Sequence, residues 1–194
     1  MDGHADTCFG LPNAGIAPCF RERQASCADG SRPARTRSAV TCYRLSSRRF
    51  PANSGTGAAL HGGRRNPAGT EVIYAAANRS LAAIEILVHF SVLPKDFVIT
   101  ANEIPDRLLV ESISPASLPP GWNDPGDPLD RTRRLGSEWI VNGVSAGLGV
   151  PSAVVADEWI YVINVNHPQF GEITFGTPEP FTFDPRLKGT EDHQ

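Results

Sequence analysis

Two arginines behind a glycine pair, and one glutamate inside an otherwise apolar helical pattern, are the features of this chain best suited to chemistry. In Gly62-Gly63-Arg64-Arg65-Asn66-Pro67, the glycines let the backbone turn tightly and approach a ligand. A guanidinium there matches phosphate oxygens bidentately. The plain alternative is a surface turn with solvated arginines. Arg44 stands beside Tyr43 and ahead of Ser46, Ser47, Arg48 and Arg49, which reads either as a phosphate cradle or as a basic surface patch. At about 100° per residue, Leu81, Ile84 and Val88 share one helix face, and Glu85 falls within about 40° of Leu81. A carboxylate so placed must pair, reach solvent or face a cleft, because burying an isolated charge is prohibitive. Glu85 is therefore either a salt-bridged boundary residue or a catalytic carboxylate at a pocket rim. Tyr74 is a core ring or a platform for a flat ligand ring. Ser152, after Val150-Pro151, reads as a turn residue with no GxSxG around it. His167 in "NHPQF" reads as a turn histidine rather than a base. "GTGAAL" from Gly55 lacks the third glycine of the dinucleotide fingerprint and a preceding strand, and no GK[ST] occurs, so classical Rossmann and P-loop readings fail.

These side chains need elements to hold them. "TCYRLSSRRF" from Thr41 begins the ordered patterning, and Gly55 to Gly63 reads as a glycine-rich loop. "TEVIYAAA", Thr70 to Ala77, predicts a short buried strand. Asn78 or Ser80 is placed to cap a helix from Leu81 to about Ser91, ahead of Pro94. "DFVITANEI" and "RLLVESI" predict strands separated by Pro105. Leu118 to Pro128 is a proline-dense loop, and "RTRRLGSEWIVNG" predicts a second helix with Gly143 near its end. "LGVPSAVV", "EWIYVIN", "EITF" and "PFTFD" complete the strand candidates. Strands and helices mix without regular alternation or internal repeat, so the class expected is α+β in a single domain.

The 194 residues suffice for one domain with a core, and 17 prolines with 18 glycines imply much loop. A net charge of −3 announces neither a nucleic-acid nor a membrane partner. No apolar run reaches the roughly 18 residues of a membrane span, and no signal-peptide order opens the chain; a cytoplasmic protein is expected. Residues 1–41 show no useful apolar period and read as a disordered extension. Met1 is the only methionine, so that extension also fits upstream sequence included by an early start. Cys8, Cys19, Cys27 and Cys42 match no metal spacing and read as unpaired thiols rather than zinc ligands or disulfides.

Taken in order, "YR" at Tyr43-Arg44, "GGRRNPAGTEVIYAA", "SLAAIEIL", "VPSAVV", "EWIYVINVNHPQF" and "PFTFDPRL" resemble the RES-domain family, over residues 42–188, with 189–194 left as a tail. The family usually carries tryptophan after the loop arginine, where this chain has Arg65. The resemblance implies an ADP-ribosyltransferase-like fold of mixed and antiparallel sheets with flanking helices. It implies that NAD is the substrate and that its nicotinamide–ribose bond is cleaved, as in an NAD glycohydrolase or, with inorganic phosphate as co-substrate, an NAD phosphorylase. Some members pass ADP-ribose to a protein. It implies Arg44 and Arg64 as ligand-binding arginines, Tyr74 as the pocket tyrosine, and Glu85 and Ser152 as the glutamate and serine of the site. It also implies a bacterial toxin held in an oligomeric complex by an Xre-type helix–turn–helix antitoxin. The chemistry suits one carboxylate: nicotinamide leaves neutral and needs no general acid, unlike an ordinary glycosidic leaving group, and a single anion stabilises the oxocarbenium-like transition state. Glu85, Arg64 and Ser152 are the catalytic candidates, and Arg44, Arg64, Tyr74 and Ser152 the substrate-binding ones. No cofactor or metal is required. A protein ADP-ribosyltransferase and a non-catalytic NAD- or antitoxin-binding module remain as competing readings.

Overall fold

A computed structural model of the chain describes residues 38–108, 111–125 and 130–188. The expected disordered extension lies outside these residues over 1–37, with Cys8, Cys19 and Cys27, and so does the tail from 189 on. The first strand, β1 (Ala39–Ser47), starts just before Thr41. Then follow α1 (Thr56–His61), β2 (Val72–Ala76), α2 (Arg79–Leu87) and β3 (Phe97–Pro105). The remainder is β4 (Glu111–Ser112), α3 (Asp130–Asn142), β5 (Gly147–Pro151), β6 (Trp159–Asn164), β7 (Thr174–Phe175) and β8 (Glu179–Phe181). The segment read as a glycine-rich loop thus contains the short helix α1, and among its described residues "RLLVESI" contributes the end of a 3-10 turn, Asp106–Leu108, and the strand Glu111–Ser112.

Among the described residues the strands form one mixed eight-stranded sheet, in the order β4-β5-β6-β2-β1-β3-β7, with β8 also on β3. β4 and β5 are parallel and the other pairs antiparallel. Its continuity is uneven. β1 and β3 are in register over nine pairs and β2 and β6 over five, but β1 meets β2 only at Tyr43↔Ala76. The two halves of the sheet are therefore joined through that one pair.

Because side chains alternate across a strand, the sheet carries two cores. Leu45, Val72, Ala76, Ile99, Leu148, Val150 and Val162 face α2 and α3, where Leu81, Ala82, Leu87 and Trp139 complete one cluster. Cys42, Ile73, Ala75, Ile104, Ala146 and Ile163 form the other with Leu108 and Ile173. The face of α2 differs from the expectation. Leu81, Ala82, Ala83 and Leu87 are its buried residues, whereas Ile84 and Val88 are 39% and 53% exposed. The small alanines let the helix close on the sheet, so the buried stripe is rotated away from the bulkier aliphatic residues. Asn78 supplies the cap, its side chain accepting from Leu81 N at 2.8 Å. The helix ends at Leu87 rather than near Ser91: His89 N and Phe90 N bond to Ile86 O and Leu87 O, three residues back, and the chain tightens out of the α-helix well before Pro94.

Candidate active site

Glu85 sits half-buried at the edge of the α2 stripe, and its partner comes from the far side of the sequence. Ser152, just past β5, is 1% exposed and donates its hydroxyl to Glu85 Oε1 at 2.6 Å. Ser152 Oγ in turn accepts the backbone N–H of Val154 at 3.1 Å and of Val155 at 2.9 Å. Ser152 N bonds to Glu158 O, and the Glu158 carboxylate holds Asn78, the cap of α2. A hydroxyl has one proton and two lone pairs, so every capacity of Ser152 Oγ is used. The serine fixes the carboxylate, and its own oxygen has no lone pair left for attack. Among the described residues no hydrogen bond or ion pair ties Glu85 to an arginine, which leaves its charge uncompensated by a cation.

The arginine loop is built around Tyr74. The Tyr74 hydroxyl donates to Asn66 Oδ1 at 2.7 Å and accepts from Arg65 N at 3.1 Å. Asn66 is fully buried, its amide N–H groups shared among the carbonyls of Ala58, Pro67 and Thr70. Gly62 needs its positive φ of 68°. A Cβ on Gly63 would fall 2.7 Å from Tyr74 Oη. The glycine pair is thus explained by the loop's own packing on the tyrosine. Burial pushes the Tyr74 phenol up to about 12, against the opposing pull of the Arg65 N–H bond and of the Arg65 and Arg133 charges. Its hydroxyl holds the loop, and its ring joins the α2-side core.

Arg64 projects from this loop, part-exposed, donating Nη1 to Trp122 O at 3.0 Å and Nη2 more weakly to Asp124 O at 3.5 Å. Arg65 turns the other way and is 2% exposed, with Nε and Nη1 bonded to nothing. Burial lowers its pKa, Tyr74 opposes and Arg64 adds to the lowering. Arg44 is also buried, donating Nη1 to Ala52 O at 2.6 Å, and burial brings its pKa down to about 10. Strand alternation turns Arg44 away from Tyr43 and Leu45, to the side of Cys42, Thr100 and Asn102.

The structure therefore joins Glu85 to Ser152, and Tyr74 to the loop of Arg64. Among the described residues no hydrogen bond links Arg44 to either group. His167 is a turn residue, Nδ1 accepting from Gln169 N and Nε2 bonded to Gly143 O. Sequence reasoning passed over Asn66 as a loop anchor, although an asparagine before proline in a glycine-rich turn is a recognisable signal. It also passed over Arg133 of α3, whose Nε donates to Gly63 O at 2.9 Å; nothing local marks that residue. Among the described residues no group of three His, Cys, Asp or Glu side chains is placed to hold a metal, and no helix is long and apolar enough to cross a membrane. A hollow of about 310 Å3 beside the N-terminal half of α3, lined by Leu118, Pro119, Arg131, Arg134, Leu135 and Ser117, includes none of the candidate residues. The bonding around Glu85 and Tyr74 is the stronger guide to chemistry.

Comparison with known proteins follows the same residues. A family model described as the RES domain matches residues 41–184. The chain is 36% identical over 139 residues to the Prs ADP-ribosylating toxin of Sphingobium sp. (strain YBL2), covering 69% of this chain and 85% of that protein. It is 36% identical over 151 residues to Toxin Res of Yersinia enterocolitica, covering 75% and 98%. Among solved structures, one chain of the M. tuberculosis MbcT-MbcA toxin-antitoxin complex superposes with a TM-score of 0.62 at 19% identity, over 78% of this chain and 88% of that one. The fold is the α+β arrangement expected above, a mixed sheet with flanking helices, and it is shared with that toxin–antitoxin chain.

Proposed function

The chain belongs to the RES domain family, and from that premise we propose that it is an NAD-consuming toxin that cleaves the nicotinamide–ribose bond. The observation that carries this reading is the 2.6 Å bond from Ser152 Oγ to Glu85 Oε1, with both hydroxyl lone pairs occupied by backbone N–H groups. A carboxylate held this way is preorganised and not neutralised by a cation. Placed beside the ribose, it opposes the positive charge that develops as the bond to the cationic nicotinamide loosens, and the leaving group departs neutral. Ser152 acts through Glu85 as a positioning residue. Arg64, held by main-chain carbonyls and not by an acid, keeps its charge for the diphosphate. Tyr74 secures the loop that presents it. Arg44 is assigned to ligand binding on family resemblance alone. The names of the relatives, toxins in each case, and the toxin–antitoxin complex support a toxin restrained by an antitoxin; the Xre type of that antitoxin is assigned on family resemblance alone, and a cytoplasmic location on the sequence expectation alone.

The test is to give the purified protein NAD with and without inorganic phosphate and to identify products by mass. ADP-ribose 1″-phosphate marks an NAD phosphorylase, and free ADP-ribose a glycohydrolase. Glu85→Gln should retain the fold and lose about 10²-fold or more in rate, the scale of one electrostatic stabiliser; turnover close to wild type would remove Glu85 from the mechanism. A second reading, transfer of ADP-ribose to a protein, is favoured by the name of the Sphingobium relative, an ADP-ribosylating toxin. Labelled protein in a lysate, in place of small-molecule product, would select it. A folded protein inert in every arm would leave only a binding module.

A further inference from the structure

Helix α3 meets the arginine loop through two residues three apart and hence on one face. Gly136 packs directly against Arg65, where an added Cβ would fall 1.8 Å from the Arg65 carbonyl oxygen. One turn earlier, Arg133 reaches the same loop and donates Nε to Gly63 O at 2.9 Å. That bond uses one of the five N–H donors of the guanidinium. Among the described residues Nη1 and Nη2 of Arg133 bond to nothing, and the side chain is neither fully buried nor ion-paired. Arg133 and Arg65 both act electrostatically on the Tyr74 phenol, and Arg64 on Arg65. Three arginines thus border one glycine turn, Arg64 and Arg65 following it in the chain and Arg133 bonding to its carbonyl. The partners of Arg64 are main-chain carbonyls, that of Arg133 is a carbonyl, and the buried Nε and Nη1 of Arg65 have none. Like charges gathered this way without an acid repel one another, and an anion between them relieves the repulsion.

We propose that Arg133 is an anion-binding residue that pairs with Arg64 across the Gly62-Gly63 turn and takes phosphate oxygens through its free Nη groups. The Nε bond to Gly63 fixes the guanidinium plane, so that its outer edge is presented ready-oriented, as bidentate recognition of phosphate requires. Two sources share this chemistry, the diphosphate of NAD and free inorganic phosphate acting as co-substrate. Only that last assignment rests on the function proposed above; the anion site itself does not.

Calorimetric titration of the full chain with ADP-ribose, and separately with inorganic phosphate, tests it without turnover. Arg133→Gln keeps an N–H donor and loses the charge, and Arg133→Lys keeps the charge. The Gln variant should bind one probe about 10- to 100-fold more weakly, the loss of a charge-assisted hydrogen bond. The Lys variant should recover most of that loss. Weakened ADP-ribose binding with a raised KM for NAD places the diphosphate at Arg133; weakened phosphate binding with a raised KM for phosphate places the co-substrate there. In either case kcat should stay within about threefold, and melting of both variants should match wild type. Affinities unchanged in Arg133→Gln, a wild type that binds neither probe, or a loss in kcat and melting temperature that lysine does not restore would each overturn the proposal. Arg133-dependent binding in a protein that leaves NAD intact would uphold this site and sink the enzymatic reading instead.

Discussion

Ser152 and Glu85 behave as one unit, because the serine's proton goes to the carboxylate and its lone pairs to Val154 N and Val155 N. Ser152→Ala therefore removes three hydrogen bonds around a part-exposed turn. A loss of about 1–3 kcal/mol of stability is expected, the summed net worth of three hydrogen bonds, together with a fall in kcat as Glu85 loses its fixed orientation. Chemical denaturation and steady-state kinetics on the same sample check both; unchanged kcat would show that the carboxylate needs no such support. Arg65 is the contrasting case. A buried cation with two unbonded N–H groups costs stability, and it occupies the place where the family usually has an aromatic ring. The types of Glu85, Arg64 and Tyr74 were legible as candidate chemistry from their local patterns. The bond between Ser152 and Glu85 was not legible from local pattern, since 67 positions separate them; only the family resemblance puts the two in one site, with orienting Glu85 as one of the roles open to the serine.

Between elements, the decisive contact is that of α3 with the loop from Gly62 to Asn66. Gly136→Ala would gain up to about 1 kcal/mol of helix propensity, yet its Cβ has no room, 1.8 Å from one Arg65 backbone atom and 2.6 Å from another. Overpacking of about 1–3 kcal/mol should prevail, lowering the denaturation midpoint and displacing Arg64 and Arg65 together. An alanine variant as stable as wild type would mean that the helix does not bear on the loop. The existence of α2, α3 and the main strands was readable from capping residues and periodicity. Which face of α2 is buried was not: Ala82 and Ala83 carry little apolar signal, yet they are what fits against the sheet, while Ile84 and Val88, on one apolar stripe with Leu81, are exposed.

At the scale of the molecule, the sheet is two halves joined at the single pair Tyr43↔Ala76. Each face of it has its own apolar core, built from strands of both halves. Cys42 lies in the second of these, fully buried, and burial pushes its thiol up to about 12. At pH 8 only about 10⁻⁴ of such a group is thiolate, against about a quarter of an ordinary thiol, and only the thiolate reacts. Alkylation of Cys42, followed by mass spectrometry of its peptide, should run at least about 10³-fold slower than in the unfolded chain. A rate within tenfold of the unfolded chain would mean that the second core opens readily along the single-pair seam.

The order of amino acids sets what is local: which stretches take up strand or helix, which side chains carry charge inside apolar surroundings, and which ordered set of motifs marks the RES family. Those signals are read over a few residues, where backbone preference and periodicity act. Tertiary structure alone decided the pairings, Ser152 with Glu85, Tyr74 with Asn66, Arg133 with Gly63. Hydrogen bonds and close packing are short-ranged in space and indifferent to separation along the chain, so only the folded arrangement of the sheet and its two long helices could bring those atoms together.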